Sequence, residues 1–139
     1  MDAAKFYAAN PAEIKGHGSK KERGEEVGEN IYESEVGDGP TDKNDESTEI
    51  EYYRRAIEKW YSEQSTYDYD KPVVSHFSQL IWKASLKVGM GLEFFVGKNR
   101  ENEEVLKVVV IGHFHPPGNI LCSSGDKYTF FRENVLKIK

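Results

Sequence analysis

At 139 residues the chain is long enough to bury one domain core, and an aromatic share of 12% argues against disorder of the whole. The net charge of −5 is uneven: residues 1–63 carry 9 Lys and Arg against 16 Asp and Glu, and the remainder 10 against 8. An acidic amino-terminal half with no basic stripe among its aromatics is a poor footprint for nucleic acid, and no apolar run approaches the ~20 residues of a membrane-spanning helix.

The opening "MDAAKFYAANPAEI" starts with helix formers and stops at Asn10-Pro11, because the residue before proline is pushed out of the α region. A short helix is predicted there. The Gly-rich, charged stretch that follows has no sustained period and reads as loop until "GENIY" at 28–32. Residues 33–49 cluster Asp, Glu, Gly, Pro, Asn and Ser, the composition of an exposed acidic loop.

Helix signals return at "STEIEYYRRAIEKWYSEQ". Thr48 with Glu51 has the form of a capping box, and Ile50, Tyr53, Ile57 and Trp60 share a face at helical spacing. The helix should end before "TYDYDKP". Ser75 is the expected N-cap of a second helix whose apolar positions are Phe77, Leu80, Ile81 and Ala84. Trp60 and Trp82 read as core.

From Leu86 the period changes. "SLKVGMGLEFFV" and "EVLKVVVIGHFH" are rich in β-branched and aromatic residues, and "GKNREN" joins them, so an antiparallel hairpin is predicted. His113 and His115 fall on one face of the second strand, which permits a chelate. "PPGN" breaks the chain before a final strand or short helix in "KYTFFRENVLKIK". Helices early and a hairpin late give an α+β architecture with helices packed on an antiparallel sheet.

Four motifs in order resemble those of the CAP superfamily (cysteine-rich secretory proteins, antigen 5 and pathogenesis-related 1). "SHFSQLIWKASLKVGMG" is similar to the family's His-Phe-Thr-Gln-Val-Val-Trp…Val-Gly-x-Gly signature. "GENIY", "KWYSE" at 59–63, and "HPPGNI" with "FFRENV" match the others, across roughly residues 15–136. The resemblance implies a single CAP domain over 1–139, an α–β–α sandwich with a central antiparallel sheet. Only ten residues precede Pro11 where the family has a full first helix, so the expectation is an abbreviated first helix, with a fragment or a neighbouring subunit that covers the gap as the alternatives. It also implies a cleft holding His17, Glu29, Glu63 and His76, with the two histidines as metal ligands and the two glutamates as acidic partners.

Zinc at modest affinity is the cofactor this set suggests. A helix-start position disfavours the imidazolium of His76 and suits a neutral ligand, and ligation requires the ring to lose its proton. The resemblance further implies lipid or sterol binding, association with anionic membrane surfaces and a homodimer through the cleft face. Lys83, Lys87 and Arg54 would form a local basic patch. A lone cysteine, Cys122, cannot make an intramolecular disulfide. That points to the intracellular, Golgi-associated branch, in a reducing compartment; residence in the cytoplasm or on the Golgi membrane is the expectation.

Two other function classes make different demands on the sequence. A metal-dependent hydrolase or protease would need a nucleophile near Glu63 or His76, and Ser62 and Ser78 adjoin them; no Gly-x-Ser-x-Gly, His-Glu-x-x-His or Walker motif occurs. A non-enzymatic role is the expectation. A secreted immunomodulatory effector would require a leader and more cysteines.

Overall fold

The computed structural model describes residues 3–15, 17 and 26–137. The loop expected between the first helix and "GENIY" falls largely on 16 and 18–25, outside the described residues. Regular structure runs as α1 (Ala3–Ala9), a 3₁₀ turn (Pro11–Glu13), β1 (Gly28–Glu35), α2 (Glu46–Tyr61), a second 3₁₀ turn (Ser62–Thr66), α3 (His76–Leu80), β2 (Lys87–Lys98), β3 (Glu104–His115) and α4 (Thr129–Asn134). The class is α+β, as expected. The sheet has the order β1-β3-β2. Glu29 meets His113 and Glu33 meets Lys107, so partners step up one strand and down the other, the sign of an antiparallel pairing. The β2–β3 connection closes through an Asn99 N–H bond to Glu103 O at 3.0 Å, and the Asn99 side chain accepts from the amides of Glu101 and Glu103.

Packing divides the chain into two compact units. The first comprises the described residues of 1–25, 31–56 and 90–111. Its core joins Ala3, Ala4 and Tyr7 of α1 to Ile31, Phe95, Val109 and Ile111. The i, i+1, i+4 spacing of the α1 contributors puts them on one helical face. The Asn10 side chain donates to Phe6 O at 2.9 Å at the end of α1, immediately before Pro11.

Regular structure enters both ends of the acidic stretch 33–49, since β1 runs to Glu35 and α2 begins at Glu46. What lies between is tied down. The Val36 amide bonds Leu106 O at 2.9 Å, the Tyr52 hydroxyl donates to Pro40 O at 2.8 Å, and Lys43 pairs with Glu93 at 2.7 Å.

Two expectations for α2 are corrected here. The cap is Asp45, not Thr48: Asp45 Oδ1 accepts from the Ser47 amide and hydroxyl, both at 2.9 Å, and these bonds hold its carboxyl below the usual aspartate value. Thr48 is buried, and Glu51 instead pairs with Arg54 and Arg55 at 2.8 Å each. The buried face runs through Thr48, Tyr52, Ala56 and Trp60, leaving Ile50 59% and Ile57 40% exposed. The helix is thus rolled by about one residue, ~100°, from the orientation that the isoleucines favour. Tyr52 can be fully buried because Pro40 O satisfies its hydroxyl.

The second unit comprises the described residues of 26–30, 57–89 and 112–139. Its aromatic core joins Tyr67, Phe77, Trp82, Phe131 and Val135. Trp82 meets Phe131 edge-on at 5.0 Å between centroids, a favoured aromatic geometry. Both tryptophans are buried, as expected. The tail resolves into α4.

Ser75 caps α3 as expected, accepting from the Ser78 amide at 3.0 Å, while Ser78 returns the favour to the Ser75 amide. The buried side of α3 is partly polar, however: Phe77, Ser78 and Gln79 are inside and Ala84 is exposed. The Gln79 amide is consumed at both ends, accepting from the Gly118 amide at 2.8 Å and donating to Ser85 Oγ at 3.1 Å. A Cβ at Gly118 would come within 2.6 Å of Gln79 Nε2 and 2.8 Å of Trp82 Cγ, and one at Gly28 would strike the Gln79 side chain. Two motif glycines therefore make room for one buried amide.

Candidate functional site

The second unit brings Glu63 and His76 together. Glu63 lies in the 3₁₀ turn after α2, and His76 is the first residue of α3. One carboxylate oxygen, Oε2, meets His76 Nδ1 at 2.9 Å, and the other, Oε1, accepts the Phe77 amide at 3.0 Å. The Trp60 ring lies nearly parallel to the imidazole, 6.3 Å away between centroids.

The other motifs converge on the same short helix. Buried Asn30 donates to His76 O at 3.0 Å. Asn119, held at φ 55°, donates to Ser75 O at 3.0 Å and accepts the Ser78 hydroxyl. A five-residue helix cannot sustain itself; α3 persists because its end groups are bonded from three other segments.

Glu29 is held by a different histidine. Its Oε2 meets His113 Nε2 at 2.8 Å, with the Glu29 side chain only 1% exposed. Sequence reasoning gave His113 a place beside His115 in a chelate and did not pair it with Glu29. The register between β1 and β3 was the missing signal. His115 is exposed at the end of β3, and its carbonyl accepts the Leu86 amide. His17 belongs to the first unit, half-buried at φ 53°, its amide bonding Ile14 O at 3.3 Å.

Among the described residues, no group of three or more His, Cys, Asp or Glu has the arrangement of a metal site. At the Glu63–His76 pair the structure brings together one imidazole and one carboxylate, both donor types that bind zinc. Glu63 on Nδ1 leaves Nε2 as the other ring nitrogen, the arrangement in which a carboxylate orients a ligating imidazole.

The serines beside the pair are otherwise engaged. Ser62 Oγ donates to Lys59 O, and the Ser78 hydroxyl donates to Asn119 Oδ1, with Ser75 O also within 3.0 Å. Neither arrangement is that of a nucleophile held by its base.

Adjoining Phe77 is an apolar cavity of about 460 Å³. Tyr61, Tyr69, Phe77, Ile81 and Leu136 form its walls, with Lys83 as the charged lining residue. Phe77 is packed from behind by Tyr67, at 5.3 Å between centroids, and from the side by Tyr61 at 5.7 Å. Burial pushes the Tyr67 hydroxyl pKa up, and that hydroxyl has no hydrogen-bond partner among the described residues. This cavity is not legible in the sequence, because its walls come from the end of one helix, the turns after it, α3 and the tail. Of the expected basic patch, Lys83 lies at the cavity, while Arg54 pairs with Glu51 in the first unit.

Comparison with known proteins agrees with the motif reading. The model of the "CAP: Cysteine-rich secretory protein family" matches residues 1–111. A stretch of 42 residues is 40% identical to Protein PRY2 of Saccharomyces cerevisiae, covering 27% of this chain and 13% of that relative. No helix among the described residues is long and apolar enough to cross a membrane.

Proposed function

Since the chain belongs to the CAP family of cysteine-rich secretory proteins, we propose that it is a non-enzymatic binding protein that takes up an apolar ligand, a lipid or sterol, in the cavity beside Phe77. The observation that carries this reading is the cavity itself. Its volume of about 460 Å³ falls within the ~300–1,000 Å³ of ordinary small-molecule sites, and such sites are mainly apolar with few polar groups. Four of its apolar walls come from Tyr61, Tyr69, Ile81 and Leu136.

Membrane-surface association belongs to the same reading, since Lys83 beside an apolar opening suits a lipid head group better than the overall charge of −5 does. A modest-affinity divalent cation, zinc by its preference for imidazole, is assigned to His76 with Glu63 behind the ring. A homodimer and residence in the cytoplasm or on the Golgi membrane complete the proposal; the lone Cys122 supports a reducing compartment.

Binding of cis-parinaric acid and flotation with vesicles of neutral, anionic and sterol-containing composition test the reading. Wild type is expected to bind and Leu136→Glu, which sets a charge in the cavity wall at a half-exposed position, to lose binding without losing stability. Wild type that binds neither the probe nor any vesicle would overturn it.

A further inference from the structure

The Glu63 carboxylate touches two things at once. Oε2 holds the His76 ring, and Oε1 holds the amide of Phe77, a lining residue of the cavity. Resting on the cavity reading above, we infer that Glu63 is the positioning residue of that cavity, and that it links the imidazole to the cavity wall so that an event at one is felt at the other.

The physical case begins with the brevity of α3. A helix of five residues leaves its first amides without internal partners. Ser75 Oγ takes the Ser78 amide. The Phe77 amide goes to Glu63, a residue 14 positions away. The capping of the first turn is therefore split between a local serine and a distant carboxylate.

Loss of Glu63 leaves Ser75 in place but frees the Phe77 backbone. Phe77 is 1% exposed, and its ring packs on Tyr61 and Tyr67, which flank the same 3₁₀ turn. Loosening its backbone therefore disorders a wall that a ligand must find already formed, and preorganisation is lost. The other carboxylate oxygen is bonded to His76 Nδ1, so a ligand at the other ring nitrogen acts, through the imidazole, on the same carboxylate that orders Phe77. Linkage makes the effect reciprocal: cavity occupancy must alter the ring.

Glu63→Ala, Glu63→Gln and wild type would be compared by cis-parinaric acid titration, amide hydrogen exchange at Phe77, and the NMR shift of the His76 ring with and without probe. Circular dichroism would confirm that each variant folds. Glu63→Ala is expected to weaken the probe roughly fivefold, the scale of one net hydrogen bond, to speed exchange at Phe77, and to abolish the probe-induced shift of His76. Glu63→Gln keeps an acceptor for Phe77 and a hydrogen-bonding group for the ring, so it should recover most of the binding. Should Glu63→Ala bind as wild type does, or weaken binding with Phe77 exchange unchanged, the positioning role is refuted while the cavity reading stands. Glutamine no better than alanine refutes it equally. Wild type that fails to bind the probe removes both.

Discussion

Glu29 and His113 face each other across β1 and β3 at 2.8 Å, and the carboxylate of the pair is almost wholly out of solvent. The motif resemblance assigned Glu29 to a four-residue cleft. Its bond to His113 gives it a second occupation, fastening one strand to its neighbour. Removing a partner from a buried carboxylate costs more than a surface ion pair is worth.

His113→Ala is accordingly expected to destabilise the protein by about 2–3 kcal/mol. Urea unfolding measures the loss. The double variant with Glu29→Gln should recover part of it, because a neutral amide is cheaper to bury than a carboxylate. Additive losses would mean that the two side chains act independently.

Asp45 gives a pH-dependent effect whose sign follows from its cap. Its folded-state pKa is depressed by the Ser47 bonds. The stabilisation is therefore complete above the ordinary aspartate value and is lost as pH falls through the lower folded value. Asp45→Ala should be less stable than wild type at neutral pH, with the gap closing below about pH 4. Asp45→Asn, still a good cap, should show less of that acid dependence. Unfolding midpoints from pH 2.5 to 7 would test both.

Gly118→Ala should destabilise by roughly 1–3 kcal/mol, the usual range for overpacking. The new methyl meets the Gln79 amide and the Trp82 ring, both of them buried. Gly125→Ala offers a contrast: nothing stands within 4 Å of its Cβ position, and its cost would come from φ 70° alone. Thermal melts of the two variants separate crowding from backbone strain.

Zinc titration by calorimetry should give weak binding, lost in His76→Ala, retained in His113→Ala, and weaker on acidification because a ligating imidazole must shed its proton. Equal binding by wild type and His76→Ala would put the metal elsewhere.

The parts legible from sequence were those written in short-range chemistry. The hairpin was legible, its second strand to the residue and its first within two residues at each end, because β-branched runs and a turn-forming connection lie side by side. Ser75 was legible because its cap bonds reach only three residues. Family membership was legible because four motifs hold their order. The orientation of α2 is not legible locally, because Ile50 and Ile57 outweigh Tyr52, whose burial depends on a carbonyl twelve residues upstream. Capping by Asp45 is masked for a subtler reason, since Thr48 and Glu51 also satisfy the local pattern. At the site, the structure bonds Glu63 to His76 across 13 positions of chain. The Glu29–His113 bond was hidden because nothing local to either residue reports which strands pair. The cavity was hidden likewise, being bounded by residues from Tyr61 to Leu136.

The stretch between β1 and α2 has the composition of a disposable tether, yet Val36, Pro40 and Lys43 each fasten it to the first unit. A protease must draw a substrate backbone into an extended strand before cutting it, and a segment moored this often cannot be drawn out while its anchors hold. Grafting an epitope or a fluorescent reporter into that acidic composition would therefore disturb the unit beneath it, starting with the loss of the acceptor for Tyr52.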